Sequence, residues 1–188
     1  MKYRAVWRLT AGSALFLDRD GVLNRCVETG FVGCREAFEF LPGVLPALGR
    51  AADLFRRIFI VTNQPAVGMG WMTANELEAL HVWMCGEIQR AGGRIDRVYS
   101  CPAPKEARSF YRKPAVGMGL QALRDFPDVR AAESFMVGDT RTDMAFGHRL
   151  GMHTVLIGGQ SAALASPCLA ERRYDSLTDF INVIANEA

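Results

Sequence analysis

Asp18 and Asp20 directly follow the short apolar run Ala14-Leu15-Phe16-Leu17, so two carboxylates leave one strand end together. Asp139 comes just after a second apolar run, Phe135-Met136-Val137, and Asp143 lies four residues later. Thr62, Asn63 and Gln64 follow a third run, Ile58-Phe59-Ile60-Val61, and Lys113 stands in a loop before Pro114. Carboxylates delivered from two strand ends make a hard, oxygen-rich site that suits Mg2+. A cation there, with the Lys113 ammonium and the Thr62 hydroxyl, matches the charge of a phosphoryl group in transfer. Asp18 is the candidate nucleophile, since a carboxylate can attack phosphorus and form an aspartyl-phosphate. Asp20 is the candidate acid/base, protonating the leaving oxygen and then deprotonating the attacking water. Each piece has a plain structural reading as well. A lone D-x-D is usually a turn or a cap, Thr-Asn is ordinary loop chemistry, and G-D-x-x-x-D fits a solvated first helical turn. Their conjunction in chain order, three of the four directly behind apolar runs, favours chemistry.

Those residues need elements that hold them at one edge. Residues 44–57 place Leu45, Leu48, Ala52 and Phe55 at helical spacing. The β-branched run at 58–61 reads as a strand buried on both faces. Thr73-Ala74-Asn75-Glu76 fits a capping box, and Leu77, Leu80, Met84 and Ile88 follow at three- and four-residue steps. A short strand at 98–99, a helix over 116–125, a strand at 134–137, a helix over 142–150, a strand at 153–157 and a last helix from 177 to 186 complete the series. Such alternation predicts right-handed βαβ units: an α/β, three-layer Rossmann-like fold with a mainly parallel central sheet, helices on both faces and a minimal cap. Ligands in such sheets bind beyond the carboxyl ends of the strands, where the acids lie.

Phe16-Leu17-Asp18-Arg19-Asp20-Gly21-Val22-Leu23-Asn24, Val61-Thr62-Asn63-Gln64, Arg112-Lys113-Pro114 and Val137-Gly138-Asp139-Thr140-Arg141-Thr142-Asp143 together resemble the four signatures of haloacid dehalogenase (HAD) superfamily phosphatases. The resemblance spans about residues 14–160. Its L-D-R-D-G-x-x-N and R-K-P forms are similar to the branch holding heptose bisphosphate phosphatases and histidinol-phosphatases. It implies a Mg2+-dependent hydrolase of small phosphorylated metabolites. A sugar phosphate such as D-glycero-D-manno-heptose 1,7-bisphosphate is the first substrate expectation, with histidinol phosphate or an inactive binding protein as alternatives. Carried over by residue, Asp18 and Asp20 are catalytic, and Thr62 and Lys113 hold the phosphoryl group. Arg112 and Asn63 contact phosphate or substrate. Mg2+ is held by Asp18, the Asp20 carbonyl and Asp139, with Asp143 supporting that loop. The expected domain is 14–188, preceded by an extension, 1–13, without an assigned role.

Two departures from the family pattern stand out. Members of this branch commonly carry a zinc loop before R-K-P, but here only Cys101 remains, with Ser109 and Tyr111 at later ligand positions. One thiolate cannot complete a four-coordinate site, so no structural zinc is expected. The loop is instead expected to be ordered by Pro102, Pro104 and packing of Phe110 and Tyr111. Pro65 also replaces the usual residue after Gln64, removing one backbone donor. The segment Pro-Ala-Val-Gly-Met-Gly occurs twice, at 65–70 and 114–119, each time directly after a motif.

Among 188 residues, 49% are hydrophobic and 22% charged, enough for a core and against disorder. The formal net charge of +2 gives no polyanion-binding signature, so no nucleic-acid partner is expected. No apolar run approaches the roughly 20 residues that span a bilayer, so no membrane association is expected. Five cysteines without a C-x-x-C pair fit a reducing, cytoplasmic address. A monomer or small homo-oligomer is expected. Locally, Lys105, Arg108, Arg112 and Lys113 oppose only Glu106. That cluster reads either as a solvated basic loop or as a rim attracting a phosphorylated substrate through a second anionic group.

Overall fold

The computed structural model describes residues 7–27, 30–158 and 169–187. Cys168 and the first six residues of the N-terminal extension lie outside them. Six strands form one parallel sheet: β1 (Ala14–Leu17), β2 (Arg57–Asn63), β3 (Arg97–Cys101), β4 (Phe135–Gly138), β5 (His153–Ile157) and β6 (Arg172–Tyr174). Their order is β3-β2-β1-β4-β5-β6. Five helices connect or follow them: α1 (Val44–Leu54), α2 (Ala74–Arg90), α3 (Gly117–Asp125), α4 (Arg141–Arg149) and α5 (Leu177–Glu187).

The three-layer arrangement follows from the strand residues. Leu15, Leu17, Ile58, Ile60, Phe135 and Val137 point to one face, against α1, α2 and α5. Phe16, Phe59, Val61 and Met136 point to the other, against α3 and α4. Both sides of the pleat are thus apolar, which is why these strands read as continuous hydrophobic runs rather than alternating ones. The capping box at Thr73 and Glu76 starts α2 as its sequence demands. Trp7, in the N-terminal extension, is buried, packing edge-on against Phe135 and Phe180, with the Arg172 guanidinium 3.8 Å over its ring.

Chain order positions the site. From β1 the chain winds outward through β2 to β3, then crosses back to place β4 on the other side of β1. The crevice opens where the winding reverses, at the carboxyl ends of β1 and β4. Asp18 and Asp139 are the first residues beyond those two ends.

Candidate active site

Asp18 is held where β1 stops. Its N–H donates to the Val137 carbonyl of β4 at 2.9 Å, and its Oδ1 accepts from the Arg19 N–H at 2.7 Å. The same oxygen lies 2.9 Å from Lys113 Nζ, which is also 2.6 Å from Asp143 Oδ1. All three residues are buried. Burial alone would lower the Lys113 pKa, but Asp143 and Asp18 together overcome it and raise it, so the ammonium stays charged. Burial raises Asp18 to about 7, with Asp143 and Asp20 adding to the rise and Lys113 opposing it.

Asp143 does two jobs. Its Oδ2 accepts from the Thr140 N–H at 3.0 Å, closing the capping box of α4, while Oδ1 faces Lys113. One carboxylate thus both caps α4 and faces the Lys113 ammonium. Gly138 makes the arrangement fit, because a Cβ there would lie 2.2 Å from the Asp143 Cβ.

Asp20 is fixed from three sides. The Arg19 guanidinium pairs with it at 2.9 and 3.0 Å, Asn24 Nδ2 donates at 2.9 Å and Gln64 Nε2 at 2.7 Å. Gln64 Nε2 also lies 2.9 Å from Thr62 Oγ1. Arg19 is fully buried, 3.3 Å from His81 Nε2 and stacked near the Phe38 ring. Burial, then the Arg19 charge, push the His81 pKa down to about 4, so the ring is neutral at pH 7. The sequence marked Gln64 and Asn24 only as motif members. The visible signal for Arg19 was an arginine between two acids within an otherwise apolar segment.

Asn63, expected to contact phosphate or substrate, lines the pocket and is also tied to the lysine loop. Its Oδ1 accepts from the Lys113 N–H at 3.0 Å and its Nδ2 donates to the Lys113 carbonyl at 3.1 Å. Both ends of the amide are engaged by backbone, so Asn63 clamps the end of β2 to the lysine loop. Arg112 likewise gives one N–H to the Ala103 carbonyl at 2.9 Å, while still lining the cavity beside Lys113.

A divalent cation fits the carboxylate end. Oxygens of Asp18, Asp139 and Asp143 lie within 4.8 Å of one another. Asp139 Oδ1 is buried without a hydrogen-bond partner among the described residues. Burial raises Asp139 to about 7, with the neighbouring Asp143 and Asp18 charges adding to it, an arrangement that a cation would relieve. Gly21, in the left-handed region at φ 80°, keeps room there: a Cβ would lie 2.1 Å from Asp139 Oδ2. Since Asp143 already serves Lys113 and Thr140, Asp18 and Asp139 are the carboxylates left to coordinate.

Around this floor runs a pocket lined by Asp18, Asp20, Cys26, Phe31, Thr62, Lys113, Asp139, Thr140 and Thr142, among others. Phe31 packs edge-on against the exposed Trp71. A larger cavity of about 440 Å³ shares Asn63, Lys113 and Thr142 with it and continues to Lys105, Arg108, Arg112 and Arg149. Sequence reading missed Arg149, and nothing in the spacing of α4 distinguished it from a solvated helix residue.

Comparison with known proteins shows the family of the chain. A family described as HAD-hydrolase-like matches residues 110–179. The chain is 39% identical over 151 residues to the D-glycero-alpha-D-manno-heptose-1,7-bisphosphate 7-phosphatase of Burkholderia mallei, covering 77% of this chain and 78% of that one. The chain belongs to the HAD phosphatases. The enzyme of the same name from Mycobacterium bovis is 36% identical over 171 residues, 88% of each chain. A solved HAD relative, the D,D-heptose 1,7-bisphosphate phosphatase of B. bronchiseptica complexed with magnesium and phosphate, superposes with a TM-score of 0.85 at 27% identity. It covers 94% of this chain and 99% of that one.

The loop that carries zinc ligands in the resembling branch is built differently from expectation. Phe110 and Tyr111 do not pack it down: they are 57% and 48% exposed and stack edge-on against each other. Backbone contacts hold it instead. The Gly117 N–H donates to the Phe110 carbonyl at 3.0 Å, Gly68 N–H to the Pro102 carbonyl at 3.1 Å, and Arg112 to Ala103. The buried Cys101 Sγ rests 3.8 Å from Ser109 Oγ, a weak contact between the loop's two ends.

Proposed function

We propose that this HAD phosphatase hydrolyses a sugar phosphomonoester, with D-glycero-D-manno-heptose 1,7-bisphosphate the first candidate, using Mg2+ and an aspartyl-phosphate at Asp18. The observation that carries this reading is the Asp18 carboxylate at the β1 end, paired with the buried Lys113 ammonium and facing Asp139. The names of the relatives support the heptose.

Mg2+, held by Asp18, Asp139 and the Asp20 carbonyl, would neutralise charge on the phosphoryl oxygens. Lys113 and the Thr62 hydroxyl would bind the same group. The free Asp18 oxygen attacks phosphorus, and the bond from phosphorus to the ester oxygen breaks. Asp20, oriented by Arg19, Asn24 and Gln64, gives its proton to that leaving oxygen. It then takes a proton from water, whose oxygen attacks phosphorus. The bond between Asp18 and phosphorus breaks, releasing inorganic phosphate and restoring both carboxyl groups. Asn63 positions Lys113 rather than touching substrate.

The described residues contain no helix long and apolar enough to cross a membrane, and we place the enzyme in the cytoplasm. The test is a panel of heptose 1,7-bisphosphate, other sugar phosphates, histidinol phosphate and 3′-phosphorylated oligonucleotides, ranked by kcat/KM. The heptose bisphosphate should lead; histidinol phosphate at the top would overturn the sugar reading.

A further inference from the structure

The buried stripe of α2 is Leu77, Leu80, His81, Met84 and Ile88, at the three- and four-residue steps of one helical face. Four of the five are apolar. His81 is the exception, and it is only 4% exposed. Its Nε2 lies 3.3 Å from Nη1 of Arg19, and among the described residues Arg19 is its sole hydrogen-bond partner. Arginine can only donate, so Nε2 is the acceptor and the ring's own proton sits on Nδ1. A protonated ring would set two donors and two positive charges against each other. The low pKa of His81, from burial first and then the Arg19 charge, agrees with a neutral ring in this place.

Arg19 divides its donors between two partners. Nε faces Asp20 at 3.2 Å and Nη2 at 2.9 and 3.0 Å, while Nη1 faces His81. The guanidinium is planar and rigid, so fixing Nη1 also fixes the edge that meets the carboxylate. The kind of acceptor at Nη1 decides how firmly that edge is held. A second carboxylate there would compete with Asp20 for the same charge. An apolar side chain would leave a buried N–H unpaired. A neutral imidazole nitrogen satisfies Nη1 and leaves the charge to Asp20. Arg19 is fully buried, whereas Asp20 lines the catalytic pocket, so the chain of contacts runs from the core to the reacting group.

We propose that His81 is a positioning residue for the proton transfers, acting through Arg19 to hold the Asp20 carboxyl group at the leaving oxygen. This inference rests on the reading of Asp20 as the acid/base and deepens it. His81 touches neither substrate nor phosphoryl group; its effect is the orientation of the residue that does. α2 thereby contributes to the chemistry although none of its residues lines the catalytic pocket.

Leaving-group chemistry separates this role from general damage. The alcohol of an alkyl phosphate needs a proton from Asp20, whereas p-nitrophenolate, with a conjugate acid of pKa about 7, leaves without one. The comparison uses kcat/KM, which reads only the steps through release of the alcohol. The substrates are p-nitrophenyl phosphate and the leading alkyl phosphate of the substrate panel. His81→Leu fills the space and removes the acceptor. It should lower kcat/KM on the alkyl ester about 30-fold, through kcat, and on p-nitrophenyl phosphate less than about threefold. His81→Gln restores a neutral acceptor and should return the alkyl ester to within about threefold of wild type. Equal losses of His81→Leu on both esters, no loss on the alkyl ester, or no recovery in His81→Gln would overturn the positioning role. If His81→Leu does not fold, His81→Met carries the same comparison with a more adaptable side chain. Asp20→Asn, measured in parallel, reads the acid itself. A leaving-group dependence in Asp20→Asn but not in His81→Leu overturns the role of His81 alone. No such dependence in Asp20→Asn overturns the acid role of Asp20, and this inference with it.

Discussion

The catalytic trough has a floor and a rim made by different means. On the floor, Asp18, Lys113, Asp143 and Thr62 are nearly inaccessible and stand at the ends of strands or on the first turn of a helix. Each charge there has a partner within hydrogen-bond distance, and burial raises the Asp18 pKa well above its usual range. On the rim, Lys105, Arg108 and Arg149 are exposed, sit on a loop and on α4, and have no countercharge among the described residues. The contrast separates two requirements. Bond-making needs fixed dipoles and excluded water, which only a packed sheet edge supplies. Choosing among phosphorylated molecules needs long-range charge and exchangeable shape, which loops supply at little cost to the core.

The comparison is broken hardest at the floor. Asp18→Asn removes the proposed nucleophile but keeps the shape and the contact with Lys113. It should lower kcat on the order of 10⁴-fold or more while the far-ultraviolet spectrum and melting temperature stay close to wild type. Turnover within tenfold of wild type would take Asp18 out of its role. Lys113→Met should weaken the fold itself. In metal-free protein it leaves two buried carboxylates without their shared cation, at a cost of about 3–5 kcal/mol in urea unfolding. Arg25→Ala is the matching exposed case. Its pair with Glu39 spans 3.0 Å between side chains that are mostly in water, so its loss should cost under about 1 kcal/mol. Similar costs for the two would erase the distinction between floor and rim.

The floor was also the part that could be read from sequence. A strand buried on both faces must be apolar throughout, so the polar residue that ends the run, Asp18 or Asp139, emerges at the sheet edge that binds ligands. Partner choice was not readable in the same way. The family resemblance implied a substrate contact for Asn63, but its proximity to the Lys113 backbone depends on how β2 and the lysine loop pack. β6 escaped notice because a three-residue strand with two arginines has no apolar run. The duplicated Pro-Ala-Val-Gly-Met-Gly shows the limit plainly. At 65–70 it forms turns, with Gly70 left-handed at φ 74° and Met69 exposed. At 114–119 it runs into α3, with Met118 buried and Gly119 so close to Leu150 that a Cβ would lie 2.3 Å from it. Six identical residues take two structures because their neighbours in space, not their own propensities, decide.

Behind the floor, His81 gives a pH test of the same distinction. Its folded pKa of about 4 lies below the ordinary 6.5, because burial and Arg19 disfavour the charged ring. At this residue the unfolded chain therefore binds more protons between those values, and the His81 contribution to stability falls as pH drops from 6.5 toward 4. At pH 5 the loss from His81 relative to pH 7.5 is about 2 kcal/mol. His81→Gln removes the titration while retaining an acceptor for Arg19. Urea unfolding at the two pH values should show wild type losing about 2 kcal/mol more than the variant. An equal loss in both would mean that His81 is not insulated from water.

The smallest expected effect falls on the rim and comes from salt alone. Raising NaCl from 0.05 to 0.5 M shortens the screening length from about 14 to about 4 Å. Exposed cations such as Arg108 and Lys105 lose most of their pull on an approaching anion over that range. The Lys113 pairs with Asp18 and Asp143 are at 2.9 and 2.6 Å with no water between, and lie inside the screening length throughout. For a bisphosphate substrate, kcat/KM should therefore fall several-fold while kcat stays within about twofold. Stopped-time phosphate release at both salt concentrations reads the two constants separately. If kcat falls in step with kcat/KM, the charges that matter to the chemical step are reached by solvent ions, and the floor is not the dry compartment that its burial describes.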